Sequence, residues 1–242
     1  MFTTLNKIST FILDLLFPIK CLGCGAEGSV FICDKCLESV ELLHEQLCPI
    51  CENSSLHGET CAQCKSQRTL DGLIVATHYS DPLIKKSIRT FKFLLVQSLH
   101  EQLAQLIIKQ IEQNSIPCKI DLIIPVPLHK KRLKWRGFNQ AELLGEKIAA
   151  YLSASNKLAP IRTDILARTK NTKAQSKIHD HETRSANTKQ AFVCLNPDSV
   201  QQKNIFLIDD VCSTGSTLNE CAGVLKSNGA CKVWGVVVAR GR

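Results

Sequence analysis

Apolar and polar positions in this chain switch between two periods, and the switches mark its elements. Residues 205–208 (Ile-Phe-Leu-Ile) form an unbroken apolar run with β-branched members, as in a strand buried on both faces of a parallel sheet. Asp209 and Asp210 end that run, a Ser/Thr/Gly-rich stretch follows, and Leu218, Cys221, Ala222 and Leu225 then recur at helical spacing. Residues 71–79, 119–126 and 231–239 read as further strands, with strand character returning at Phe192 and Val193. Asp81-Pro82 opens a helix with Leu83, Ile84, Ile88 and Phe91 inward, leaving Lys85, Lys86, Arg89 and Lys92 on a face expected in solvent. Two more helices are predicted over 98–113 and 139–152. Strands alternating with helices predict an α/β fold, a mostly parallel sheet flanked by helices.

Two stretches escape this alternation. Before residue 65, eight of the thirteen cysteines form four C-x-x-C pairs: Cys21/Cys24, Cys33/Cys36, Cys48/Cys51 and Cys61/Cys64. Each pair can place two thiolates on one side of a tetrahedral ion, so four pairs suffice for two structural zinc sites. Gaps of eight and nine residues favour pairing first with second and third with fourth, and a cross-braced arrangement stays open. His44 and His57 lie near enough to substitute as ligands, though ordinary surface roles suit them better. From Arg168 to about residue 190 the chain is polar, basic and poor in core residues, as expected of a disordered loop or a mobile functional lid. Residues 1–20 carry Leu5, Ile8, Ile12, Leu15 and Leu16 at helical spacing, interrupted by Lys7 and Asp14. That is an amphipathic leader, with no apolar run long enough for stable membrane insertion and no cleavage site, and it points to a cytoplasmic protein. The domain boundaries expected are 1–20, 21–68 for the double zinc ribbon, and 69–242 for the sheet domain.

Charge sharpens the picture. Of the net +8, residues 119–190 supply most, with fifteen Lys/Arg against six Asp/Glu, whereas residues 1–70 hold five against eight. Two four-thiolate zinc centres would make the cysteine module more acidic still, which argues for scaffolding or protein docking rather than nucleic-acid binding there. The basic segment suits a polyanion. Its densest part, Lys130, Lys131, Arg132, Lys134 and Arg136, follows the strand ending Pro125-Val126-Pro127, where open α/β sheets bind ligands.

The stretch 205–218 resembles the phosphoribosyl-pyrophosphate (PRPP) motif of type I phosphoribosyltransferases: four apolar residues, two acids, then Thr-Gly-x-Thr. The resemblance implies the phosphoribosyltransferase fold. It also implies that Asp209 and Asp210, the catalytic pair, face the ribose hydroxyls, while Ser213, Thr214, Gly215, Ser216 and Thr217 wrap the 5′-phosphate. Val211 and Cys212 lead into that loop. The plainer alternative is a sheet strand with Ser213 or Thr214 as an N-cap. Pro127, Lys130, Arg132, Arg136 and Arg168 are the further PRPP-binding candidates, the cations among them balancing pyrophosphate, with Mg²⁺ bridging the ligand's oxygens.

The whole chain resembles the ComF family of competence-associated phosphoribosyltransferase-like proteins. Carrying that likeness are the leader ending Leu15-Leu16-Phe17-Pro18, the four cysteine pairs, Pro125-Val126-Pro127 and Arg136-Gly137-Phe138-Asn139-Gln140. Arg168, Thr172, Gln175, Arg184 and Asn187, then Ala191-Phe192 and the final Ala239-Arg240, complete it; Ile178, where leucine is commoner, is the one departure. The family implies PRPP and single-stranded DNA as ligands, a part in natural transformation, and helicase and DNA-processing partners. Two rivals are a non-catalytic nucleic-acid-binding scaffold and a phosphoribosyltransferase of nucleotide metabolism. No acceptor pocket is legible. Cys212 interrupts a hydroxyl-rich loop and is expected to be a filler thiol or moderately reactive at best. Cys118, Cys194, Cys221 and Cys231 are expected to be inert core residues.

Overall fold

The computed structural model describes residues 18–66, 69–114, 118–170 and 191–241. Residues 1–17 of the expected leader, and Thr172, Gln175, Arg184 and Asn187 of the expected lid, lie outside that range. The described chain begins with a small cysteine-rich module. Its regular pieces are the paired strands β1 (Ile19–Lys20) and β2 (Glu27–Gly28), then the short helices α1 (Asp34–Glu38) and α2 (Ala62–Lys65). Strand β3 (Gly72–His78), helices α3 (Pro82–Phe93) and α4 (Leu99–Gln113), and strand β4 (Leu122–Pro125) follow. Next come α5 (Lys130–Arg136), α6 (Gln140–Ala154), and the hairpin strands β5 (Leu166–Arg168) and β6 (Phe192–Cys194). Strand β7 (Asn204–Cys212), helix α7 (Ser216–Ser227) and strand β8 (Lys232–Arg240) close the chain.

The main sheet has the order β3-β8-β7-β4, with every pair parallel. The apolar run of β7 alternates faces as a strand must. Phe206 and Ile208 enter a core shared with α3, α4 and α6, whereas Ile205 and Leu207 enter one shared with α7 and the β5–β6 hairpin. All four are fully buried, as expected of a strand covered on both sides.

A parallel sheet still has edges, and an open edge invites unwanted pairing. The cysteine module covers that of β3. Gln46 acts as a surrogate strand: its Nε2 donates to the Val75 carbonyl at 3.1 Å, and its Oε1 accepts from the Val75 N–H at 2.9 Å. Leu43 N–H donates to the Ala76 carbonyl at 3.0 Å, and Thr60 N–H to that of Asp71 at 2.7 Å. Gly58 lies where the module comes closest. Its φ is +83°, and a Cβ there would sit 2.3 Å from the Leu73 carbonyl oxygen. Only glycine fits.

Candidate functional site

The eight cysteines gather into two sets, Cys21/Cys24/Cys33/Cys36 and Cys48/Cys51/Cys61/Cys64, with every sulfur of a set within 4.8 Å of the others. Sequential pairing is therefore the arrangement, and neither His44 nor His57 joins a set. A zinc–sulfur bond of about 2.3 Å in a tetrahedron requires sulfurs about 3.8 Å apart. Cys21 and Cys33 are 3.7 Å apart, Cys24 and Cys33 3.8 Å, and Cys51 and Cys61 3.8 Å. Both sets fit structural zinc. Burial alone would raise the Cys21 thiol, but N–H groups of Cys33, Cys24 and Gly23 outweigh it and bring it down to about 6. Cys36 is pushed up to about 12 by its neighbours Cys33 and Cys21. Four sulfurs this close resist joint ionisation, and a divalent cation removes that resistance.

The second site lies at the C-terminal ends of β7 and β4. There the paired acids occupy the last turn of pleat in β7. Asp210 N–H donates to Asp209 Oδ1 at 2.9 Å, and Val211 N–H donates to Asp210 Oδ1 at 2.8 Å. Asp210 is buried and forms an ion pair with Lys92 Nζ at 2.8 Å. Burial, then the charge of Asp210, pushes the Asp209 carboxyl up to about 8, with Lys92 acting the other way. Behind the acids the chain enters the loop. Gly215, at φ 72°, is the N-cap of α7, and Thr214 just before it takes part of the capping role, its Oγ1 accepting the Ser216 N–H at 3.3 Å. Asp209, Val211, Cys212, Ser213, Gly215, Ser216 and Thr217 all border one small concavity at the start of α7. The first N–H groups of a helix have no intrahelical acceptor and carry the positive end of its dipole. A phosphate suits that place.

The concavity shares Asp209, Val211 and Thr217 with a larger cavity of about 310 Å³. Arg132 and Arg136 from α5 and Arg168 from β5 line its far wall. Arg136 is buried; burial lowers its pKa, the charge of Asp210 works against that, and its Nη1 donates to Gln140 Oε1. Burial, then the charge of Arg132, lowers Arg168, whose guanidinium lies 5.2 Å from the centre of the Phe192 ring. Pro127 and Lys130 do not line the cavity; Lys130 is exposed on the outer side of α5, with Lys131 and Lys134. Strand β4 supports this wall through Asn139, whose Nδ2 donates to the Val126 carbonyl at 3.1 Å while its Oδ1 caps α6.

Tyr79, Arg89, Lys92 and Phe93 also line the cavity, and the sequence reading did not include them. The face of α3 expected in solvent instead turns Arg89 and Lys92 onto the site, and Lys86 donates to the Leu22 carbonyl at 2.9 Å. The helical period held a hint, since Arg89 and Lys92 stand three residues apart on one face. Phe138 is buried and stacks on Phe91 at 5.4 Å, so it packs the core. One expectation about side chains needs correction: Cys231 is exposed, not a core residue, whereas Cys221 is buried as expected.

Comparison with known proteins agrees with this geometry. The double zinc ribbon domain family matches residues 12–65, and the phosphoribosyl transferase domain family matches residues 139–242. Competence protein F of Haemophilus influenzae is 29% identical over 237 residues, covering 92% of this chain and 98% of that protein. DNA utilization protein YhgH of Salmonella typhimurium is 30% identical over 207 residues, covering 84% of this chain and 87% of its own length. A solved structure of the allosteric regulatory enzyme of purine biosynthesis overlaps 58% of this chain and 26% of its own at 15% identity and a TM-score of 0.35, too slight a likeness to argue from. Paired zinc ribbons on the edge of a phosphoribosyltransferase sheet, with relatives matched along nearly their whole length, make this chain a member of the ComF family.

Proposed function

We propose that this protein binds PRPP with Mg²⁺ and single-stranded DNA, and that it acts in the uptake or use of DNA. One observation carries the first half: a helix-start loop suited to phosphate, two acids suited to ribose hydroxyls and three arginines suited to pyrophosphate line adjoining, continuous space. Those parts match the three chemistries of PRPP in order along the molecule. Mg²⁺ entering with PRPP would spread the ligand's charge, with Asp209 and Asp210 the carboxylates placed to help hold it. With a nitrogen acceptor present, the arginines would stabilise departing pyrophosphate while Asp209 and Asp210 hold the sugar.

The DNA half rests on the outer rim. Trp135 is 59% exposed and Phe93 50%, and the exposed Lys130, Lys131 and Lys134 share α5 with Trp135. Stacking faces among cations are how single strands are gripped without sequence preference. The names of the relatives, competence and DNA utilization, support the process. No helix among the described residues is long and apolar enough to cross a membrane. Calorimetric titration with Mg–PRPP, repeated with single-stranded DNA present, tests both halves. Saturable binding of each is expected. Lack of PRPP binding would leave a nucleic-acid-binding scaffold, and lack of DNA binding a phosphoribosyltransferase of nucleotide metabolism.

A further inference from the structure

Between the second zinc ribbon and the phosphate loop lies a cavity of about 90 Å³, bordered by Pro49, Glu52, Ser213, Thr214, Gly215 and Arg240 among others. Arg240 connects the two sides. Its backbone pairs with Cys212 across β7 and β8, Gly241 N–H donates to the Cys212 carbonyl at 2.9 Å, and Tyr79 N–H donates to the Arg240 carbonyl at 3.0 Å. The side chain reaches the other way. Nη2 donates to the Pro49 carbonyl at 2.9 Å and lies 2.9 Å from Glu52 Oε1. Pro49 sits inside the Cys48/Cys51 knuckle, and Glu52 follows it at φ +60°, a turn closed by Glu52 N–H on the Cys48 carbonyl at 3.1 Å. Side chains disfavour that backbone region, so the turn depends on its surroundings to hold it.

We propose that Arg240 is a positioning residue for the phosphate loop, and that the second zinc ribbon holds it in place. The proposal rests on the reading of Ser213–Thr217 as the phosphate cradle. With the four sulfurs of Cys48, Cys51, Cys61 and Cys64 joined by zinc, the knuckle presents a fixed carbonyl and a fixed carboxylate to one guanidinium. That fixes the end of β8, and through the Cys212 pairing it fixes the residue that launches the loop. Without the metal the knuckle has only its own hydrogen bonds, and Arg240 loses its anchor. Among the described residues the buried Nη1 of Arg240 has no hydrogen-bond partner, and Nη2 makes the contacts to Pro49 and Glu52. The charge of Arg240 also reaches Cys212, where it favours the thiolate against burial. The first ribbon braces a different wall, through Leu22 on Lys86 of α3. The two zinc sites therefore have separable effects. Coupling between two sites is reciprocal: what zinc does for phosphate affinity, phosphate does for zinc affinity.

The experiment compares the full-length zinc-loaded protein, Cys61→Ser with Cys64→Ser, Cys33→Ser with Cys36→Ser, Arg240→Met and Arg240→Lys. Amide hydrogen exchange over Ser213–Thr217, zinc content and Mg–PRPP affinity are measured for each. Loss of the second site should speed loop exchange and weaken PRPP by at least about 5-fold, the lower range of measured couplings. Loss of the first should leave loop exchange unchanged. Arg240→Met should reproduce the loop effect with both zinc ions retained, and Arg240→Lys should recover part of it. Mg–PRPP should raise the affinity of the second site for zinc by the same factor that zinc raises PRPP affinity. Arg240→Met with full zinc and wild-type loop exchange overturns the proposal, whether or not the cysteine variants fold, as does an equal loop response to loss of either site. A loop that answers to the second site in a protein that never binds PRPP supports the coupling and sinks the PRPP reading instead.

Discussion

The ribbon module and the sheet it covers are stabilised by opposite means. In β7 and β8, Ile205–Ile208 and Val236–Ala239 are fully buried, and burial of apolar surface at about 25 cal/mol per Å² is enough to hold such a layer. Between residues 18 and 66 the only buried Val, Ile or Leu side chains are Ile32, Leu37 and Val40, while eight cysteines form two four-sulfur sets. The sheet is rigid by packing; the cover has little packing and two sulfur sets that fit a metal. A site assembled where they meet can therefore have a fixed floor and a wall whose order depends on zinc occupancy.

Removing zinc is the largest test of that contrast. Metal-binding energy is folding energy in modules this poor in core. Chelation should release up to two zinc ions per chain and unfold residues 18–66 first. The helices and strands of the sheet should keep slow amide exchange until a separate, hotter transition. Native protein without zinc, or one cooperative transition untouched by chelator, would show that packing and not metal holds the cover.

Next in size is the acid pair. Asp209→Asn with Asp210→Asn should weaken Mg–PRPP by about 10- to 100-fold, the scale of losing hydrogen bonds to charged acceptors. Melting temperature should fall, because the buried Lys92–Asp210 pair is broken, so PRPP affinity is measured on protein shown to be folded; DNA affinity should hardly move. Unchanged PRPP affinity would detach the ligand from this strand end.

Local pattern made much of this legible. The run Ile205–Ile208, the helix launched at Asp81-Pro82 and the cysteine spacings each encode their structure within a few residues, so periodicity and turn chemistry sufficed to read them. Asp81 does cap α3, accepting from the Ile84 N–H at 2.9 Å. What stayed hidden depends on how elements are placed in space. Lys92 looked like a solvated lysine until α3 packed beside β7 and brought it onto Asp210. Trp135 and Phe138 are three residues apart in one basic stretch, yet the turn at Gly137, φ 80°, sends one outward and the other onto Phe91. Arg240, at the far end of the chain, touches residues 191 positions away. No window of sequence shows that.

A smaller effect separates the inner and outer cations of α5. Lys130, Lys131 and Lys134 are exposed, whereas Arg132 and Arg136 line the cavity. Replacing the three lysines with Ala should lower the salt slope of single-stranded DNA binding by about 2, at about 0.7 per cation. PRPP affinity should stay within about 2-fold, because none of the three reaches the cavity lining. Trp135→Ala should cost DNA about 5- to 100-fold, the worth of one stacked base, and cost PRPP less, since Trp135 also lines the cavity. If the lysine variants lose PRPP and keep DNA, inner and outer faces have been assigned the wrong way round.

Smallest of all is the expected response of Cys212. The thiol sits among Leu73, Leu218 and Val237 on the α7 face of the sheet, and burial pushes it up to about 11. Nearby Arg240 and the Gly215 N–H pull the other way without prevailing. Alkylation requires the thiolate, so at pH 8 about a hundredfold less of the reactive form is available than for an ordinary thiol near 9. Exposed Cys231 should be labelled first among the cysteines outside the zinc sets, and Cys212 should stay unlabelled with or without Mg–PRPP. The sign of the pH effect follows. The folded protein keeps the proton to about pH 11 while the unfolded chain loses it near 9, so stability contributed by the neutral thiol is complete below about 9 and falls as pH rises between the two. Labelling of Cys212 at pH 8 that Mg–PRPP slows would place the sulfur in the phosphate loop and not in the core behind it.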